Sequence, residues 1–127
     1  MDDLPPFLHR FRLISLPIFW EDGAHLYHYP EFDYDSFFKR LSRPGLKVIN
    51  MHPMHLMLNT PYFQYTRDIK DRLSRAEWNH LDEEQIRKIA WTGEGIASFS
   101  RRMMEDTKKA GFRTAYMEDV YDWIMKL

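Results

Sequence analysis

Apolar positions along the chain change period several times, and each change predicts an element. The run FRLISLPIFW, Phe11 to Trp20, reads as a strand, with Pro17 confining it to an edge or bending it. WEDGAH follows, with Gly23 as a breaker. Residues 33–41, DYDSFFKRL, have the spacing of a short helix, capped by Asp33 or Asp35 and burying Phe37, Phe38 and Leu41. After an RPGL turn, Leu46 to Met51 is nearly continuously apolar, as suits a strand covered on both faces.

HPMHLMLNTP then reads mostly as loop between Pro53 and Pro61. Ile69 and Leu73 suggest a helix over 63–74, and Asp82 with Gln85 resembles a capping box opening a helix to about Trp91. Gly93 and Gly95 interrupt the pattern. Ile96, Phe99, Met103 and Ala110 recur at helical spacing up to Gly111, a natural residue just past a helix end. FRTAY, residues 112–116, reads as a short strand, and Val120, Tyr121, Ile124 and Met125 form the inner stripe of a last helix. Residues 1–10 form an irregular lead-in and residues 11–127 one domain. The alternation of strands and helices is that of an α/β fold, with too few strands for a closed barrel.

Composition narrows the function. A chain of 127 residues, 44% hydrophobic and 29% charged, can bury a core. A net charge of −1 argues against electrostatic binding of nucleic acid or an anionic membrane. The lack of cysteine excludes disulfides, thiolate nucleophiles and thiolate metal sites. No apolar run approaches membrane-span length, and the N-terminal MDDLPPFLHR lacks the shape of a signal peptide, so a cytoplasmic location is the expectation. Aromatic residues, at 16%, supply either a ring-rich core or the lining of a ligand cleft.

Sites in parallel α/β folds form beyond the C-terminal ends of strands. Two segments occupy that position: Trp20-Glu21-Asp22 and His52-Pro53-Met54-His55. If the two strands are parallel neighbours, the acidic pair meets His52. A carboxylate beside an imidazole fixes its tautomer and raises its pKa, as a general acid requires. The plainer reading is that His52 caps a strand end and that Glu21 and Asp22 are solvated loop acids. HPMH is a weak metal motif. Pro53 bars a helix through both histidines and a strand would turn them to opposite faces, so joint coordination is possible only through a loop conformation, and no third ligand is evident. No P-loop, G-x-S-x-G elbow or H-E-x-x-H occurs.

LPIFWEDGAH, PGLKVINMHPMHLMLNT and GFRTAYMEDV together resemble the C-terminal half of a polysaccharide deacetylase, in a divergent branch of the NodB-homology, carbohydrate-esterase family 4 type. The resemblance spans about residues 11–125, and its most specific element is the strand ending in His52 followed by Pro53 and an LNT loop. It implies a partial (β/α) barrel, the C-terminal half of a deformed barrel of seven or eight strands. The implied activity is metal-dependent hydrolysis of N-acetyl groups on a glycan or glycan precursor, with a divalent metal, often zinc. His52 then matches the late general acid, with Asp22, or failing that Glu21, as its partner. Trp20, His55 and Asn59 become candidates for substrate contact. The family's paired aspartates and His-x-x-x-His ligands match nothing here, so no metal ligand is assigned and the chain reads as an incomplete barrel. Its expected partners are a glycan substrate and an N-terminal half-barrel or a second copy of itself. The rival function is a non-enzymatic α/β module binding a sugar or a protein through an aromatic cleft.

Overall fold

The computed structural model describes residues 4–29 and 31–127. It is a mixed α/β structure whose few strands form no closed barrel. The predicted first strand is divided. β1, Phe7–Leu8, pairs antiparallel with β2, Ile14–Ser15, through a turn in which Arg12 takes a left-handed φ of 59°. Pro17, which has no N–H to give a ladder, separates β2 from β3, Ile18–Glu21. Part of the expected lead-in is thus a hairpin strand. β3 pairs with β4, Val48–Asn50, and the pairing is parallel, with a register irregularity between Ile18 and Trp20.

Helices connect and cover this pair. α1, Asp22–His28, begins directly at the end of β3, where a break at Gly23 was expected. Asp22 explains the difference: an acid in a first turn is favoured by the helix dipole, and its Oδ1 accepts from the Gly23 N–H at 2.7 Å. Asp33 caps α2, Tyr34–Leu41, by accepting from the Ser36 N–H. α3, Pro53–Met57, replaces most of the expected loop, with Pro53 at its first position and His52 as an extended N-cap. α4, Tyr65–Arg72, α5, Arg75–Asn79, and α6, Glu83–Ile89, follow, the last two opened by capping boxes, Ser74 with Glu77 and Asp82 with Gln85. α7, Ile96–Lys109, is the longest, and Gly111 beyond it has a φ of 73°. α8, Met117–Met125, closes the chain. The segment 112–116, predicted as a strand, lies in extended coil. No described strand runs beside it to complete a ladder, and Phe112 instead stacks its ring on Phe38.

The core gathers Phe19, Trp20, Leu26, Phe37, Ile96 and Phe99 where β3, α1, α2 and α7 meet. Trp20 is at its centre, stacked on Phe99 at 5.6 Å and edge-on to Phe37 at 5.7 Å. Much of the aromatic content is therefore spent on packing, which buries large apolar area in defined geometry.

Candidate active site

Parallel pairing of β3 and β4 brings their C-terminal ends to one edge. Glu21 is opposite Asn50 in register, so the residues that follow each strand, Asp22 and His52, emerge side by side. His52 Nδ1 is 2.6 Å from Asp22 Oδ1. A carboxylate can only accept, so the shared proton is carried by Nδ1, and Nε2 is the nitrogen left free. The backbone N–H of His52 donates to Asp22 Oδ2, also at 2.6 Å. Asp22 is fully buried, yet both of its oxygens are satisfied, Oδ1 by the Gly23 N–H and the imidazole, Oδ2 by the main chain. Glu21 Oε1 stands farther off, at 3.8 Å from His52 Nδ1. Of the two acids, Asp22 is the direct partner and Glu21 adds charge.

This environment acts on the histidines in opposite directions. The hydrogen bond that His52 donates to Asp22 is the main cause that holds its pKa above the ordinary histidine value; partial burial opposes it, and the charges of Asp22 and Glu21 add to it. His55 is pushed down, chiefly by burial. The two rings meet edge to face with centroids 5.8 Å apart. The pairing follows from α3. With His52 as N-cap and His55 in the first turn, both side chains stay on one side of the segment, an arrangement that separate helix and strand readings of HPMH leave out. His55 Nδ1 is 3.1 Å from the hydroxyl of Thr60.

Trp20 and Asn59 are both engaged by the protein itself. Trp20 is 2% exposed, and its Nε1–H donates to His25 Nδ1 at 3.1 Å. Stacking on a sugar needs an uncovered ring face, and both faces of Trp20 are in the core. Asn59 has a φ of 47° and directs its amide at the backbone of 91–98. His25 was given no role by the sequence. It is buried among Trp20, Phe32 and Phe99, with burial lowering its pKa and Nε2 without a partner.

Asp22, His52 and His55 each offer a ligand atom within 4.8 Å of the others, the right number and kind for a catalytic metal. The arrangement itself is that of a hydrogen-bonded dyad. Three hydrogen bonds reach the Asp22 carboxylate, two on Oδ1 and one on Oδ2, so an ion there would share Oδ2 with the His52 main chain. Without Asp22, the two imidazoles amount to a half-site.

A buried carboxylate that orients an imidazole at the C-terminal edge of a parallel strand pair is an arrangement suited to moving a proton. The sequence assigns the class: a family model for polysaccharide deacetylases matches residues 2–70, which contain Asp22, His52, His55 and Asn59. The chain belongs to this family, described as WbmS-like polysaccharide deacetylase. No curated protein and no solved structure matches it.

Proposed function

We propose that the chain supplies the proton-donating side of a deacetylase that hydrolyses N-acetyl groups on a glycan or glycan precursor. The observation that carries this reading is the 2.6 Å contact between His52 Nδ1 and Asp22 Oδ1. In amide hydrolysis water adds its oxygen to the acetyl carbon, the carbon–nitrogen bond breaks, and the amine must be protonated as it leaves. His52 is suited to that last step: Asp22 keeps Nδ1 protonated and leaves Nε2 free, and the upward pKa shift favours the form that carries a transferable proton there. Glu21, 3.8 Å away, stabilises the charged form. His55, whose pKa burial pushes down, offers Nε2 to a substrate hydroxyl, as donor or acceptor according to which way the Thr60 hydroxyl pairs with Nδ1.

The family's divalent metal, zinc above all, would polarise the water and the acetyl carbonyl when bound. Asp22, His52 and His55 are the residues that would hold it, in competition with the Asp22–His52 bond, and the role proposed for the chain is one part of a catalytic apparatus. A second body, an N-terminal half-barrel or another copy of the chain, is the expected complement.

NMR on the full chain tests this. The ring signals of His52 and His55 are followed while an N-acetylated glucosamine oligomer, and separately its deacetylated counterpart, is added. The N-acetylated form should shift His52 at lower concentration than the free amine. Absence of any His52 shift with N-acetylated sugars overturns the reading. A second reading, a module that binds without reacting, is favoured by an apolar groove of about 800 Å³ that includes Phe112 and Trp123. Ring shifts confined to those two residues would select it.

A further inference from the structure

We propose that Asn59 and Thr60 are positioning residues of the site, locking the turn that leaves α3 against α7 so that His52 and His55 keep their mutual geometry. The inference rests on the reading of Asp22 and His52 as the reacting pair.

α3 cannot hold itself in place. It has five residues and buries none of them, far short of what an isolated helix needs to persist. Leu56 rests against the core, and the rest of the helix's orientation comes from its two ends. At the first, Asp22 grips His52. At the other, three residues make an unusually dense set of bonds. Leu58 C=O accepts from the Trp91 N–H at 2.9 Å, and Thr60 C=O accepts from the Ile96 N–H at 3.0 Å.

Between them, Asn59 uses its whole amide. Nδ2 donates to the carbonyls of Trp91 and Gly93, both at 2.9 Å. Oδ1 accepts from the N–H groups of Ala97 and Ser98, at 3.0 and 3.2 Å. Those N–H groups open α7, whose N-cap, Gly95, has no side chain to offer them. The cap therefore arrives from Asn59, 38 residues earlier than Ala97. Asparagine fits this position because it tolerates the left-handed φ and carries two donors and an acceptor on a short stem. Gly95 is the complement, because a Cβ there would collide with the Asn59 main-chain and side-chain oxygens.

Thr60 carries the clamp to the ring. It is fully buried, and its N–H donates to the His55 carbonyl at 3.1 Å while its hydroxyl pairs with His55 Nδ1 at 3.1 Å. The hydroxyl of Thr66, buried on α4, is 3.3 Å from that of Thr60 and completes the chain. With Nδ1 tied, the free nitrogen of His55 is Nε2, on the ring that packs edge to face with His52.

The test uses the full chain labelled with nitrogen-15 and compares Thr60→Val, Thr60→Ser and Asn59→Asp. The readouts are the ring nitrogen shifts of His55, which report its tautomer, and the titration midpoint of His52. Thr60→Val should move the His55 ring nitrogens toward tautomer-averaged values, whereas Thr60→Ser, which keeps the hydroxyl, should retain the native shifts. Asn59→Asp, which cannot donate to Trp91 and Gly93, should displace the His52 midpoint. If either Thr60→Val or Asn59→Asp folds and leaves both histidines at their native values, the proposal is wrong. Loss of fold in one leaves the decision to the other, and in both alike it would make the pair structural only. These readouts need no sugar, so failure of N-acetylated oligomers to shift His52 would remove the functional reading and leave the positioning result standing.

Discussion

Asp22 does three things at the residue scale: it starts α1, holds the backbone at the end of β4, and orients His52. Asp22→Asn should bring the His52 titration midpoint down toward the ordinary value of about 6.5, measured by NMR, because the largest upward influence on it is lost. Asp22→Ala, which leaves the buried N–H groups without an acceptor, should destabilise the fold by about 3 kcal/mol in urea unfolding. His25 makes a separate prediction. Its folded pKa is depressed, so its neutral form costs nothing above the unfolded value, and stability is lost as pH falls from there through the folded pKa. His52 has the opposite sign, its contribution being present in acid and lost as pH rises through its own raised pKa. His25→Gln, which can still accept from Trp20 Nε1–H, should therefore lose less stability than the native chain between about pH 7.5 and 5, the range around the ordinary histidine value. The Asp22–His52 pair was legible in the sequence because each residue follows a recognisable strand, and parallel pairing of consecutive strands is the usual outcome in an α/β alternation. Trp20 was not: a Trp beside acids at a strand end looks the same whether its ring faces a cleft or the core. Nor was Asn59, whose partners are more than thirty residues away.

Helices α5 and α6 at the element scale depend on local chemistry, and α3 and α7 on each other. The difference is measurable. Asp82→Ala removes one cap from an exposed helix and should cost about 1 kcal/mol. Gly95→Ala forces the Asn59 loop away from α7 and should cost about 3 kcal/mol, with added hydrogen exchange at Ala97 and Ser98. Equal effects in urea unfolding would show that the α3–α7 clamp is no stronger than a surface cap. Local capping signals are what a sequence displays best, and the box of Asp82 and Gln85 was legible for that reason. Ser74 and Glu77 carry the same signal for α5, which is easily overlooked because it yields only five residues. The start of α3 was written in Pro53, but its persistence depends on the distant Asn59 contacts. FRTAY has the alternation of a strand without a neighbour, and pairing is a property that no single segment encodes.

The whole molecule exposes more surface than its mass calls for. The accessible area is 9585 Å², about a third more than the roughly 7200 Å² expected of a compact 15.5 kDa chain. β3 and β4 form a sheet of two, so each has an outer edge unpaired among the described strands. Along β4 runs the apolar groove of about 800 Å³, with Val48, Ile49, Met51, Met103, Met117 and Trp123 in its walls. Ile18 on β3 is 52% exposed, as is Trp123 on α8. At ~25 cal/mol per Å², a few hundred Å² of such surface is worth several kcal/mol when covered, comparable to a domain's net stability. The chain alone should therefore self-associate at micromolar concentration, through the groove and the strand edges. Size-exclusion chromatography with light scattering reads this directly. Trp123→Glu puts a charge into the groove wall without touching the Asp22–His52 pair, and should shift the population toward monomer while the His52 titration stays unchanged. A sharp native monomer peak with a single cooperative unfolding transition would mean that the open surface is stable in water, and that neither a second copy nor a complementary half is needed to complete the fold.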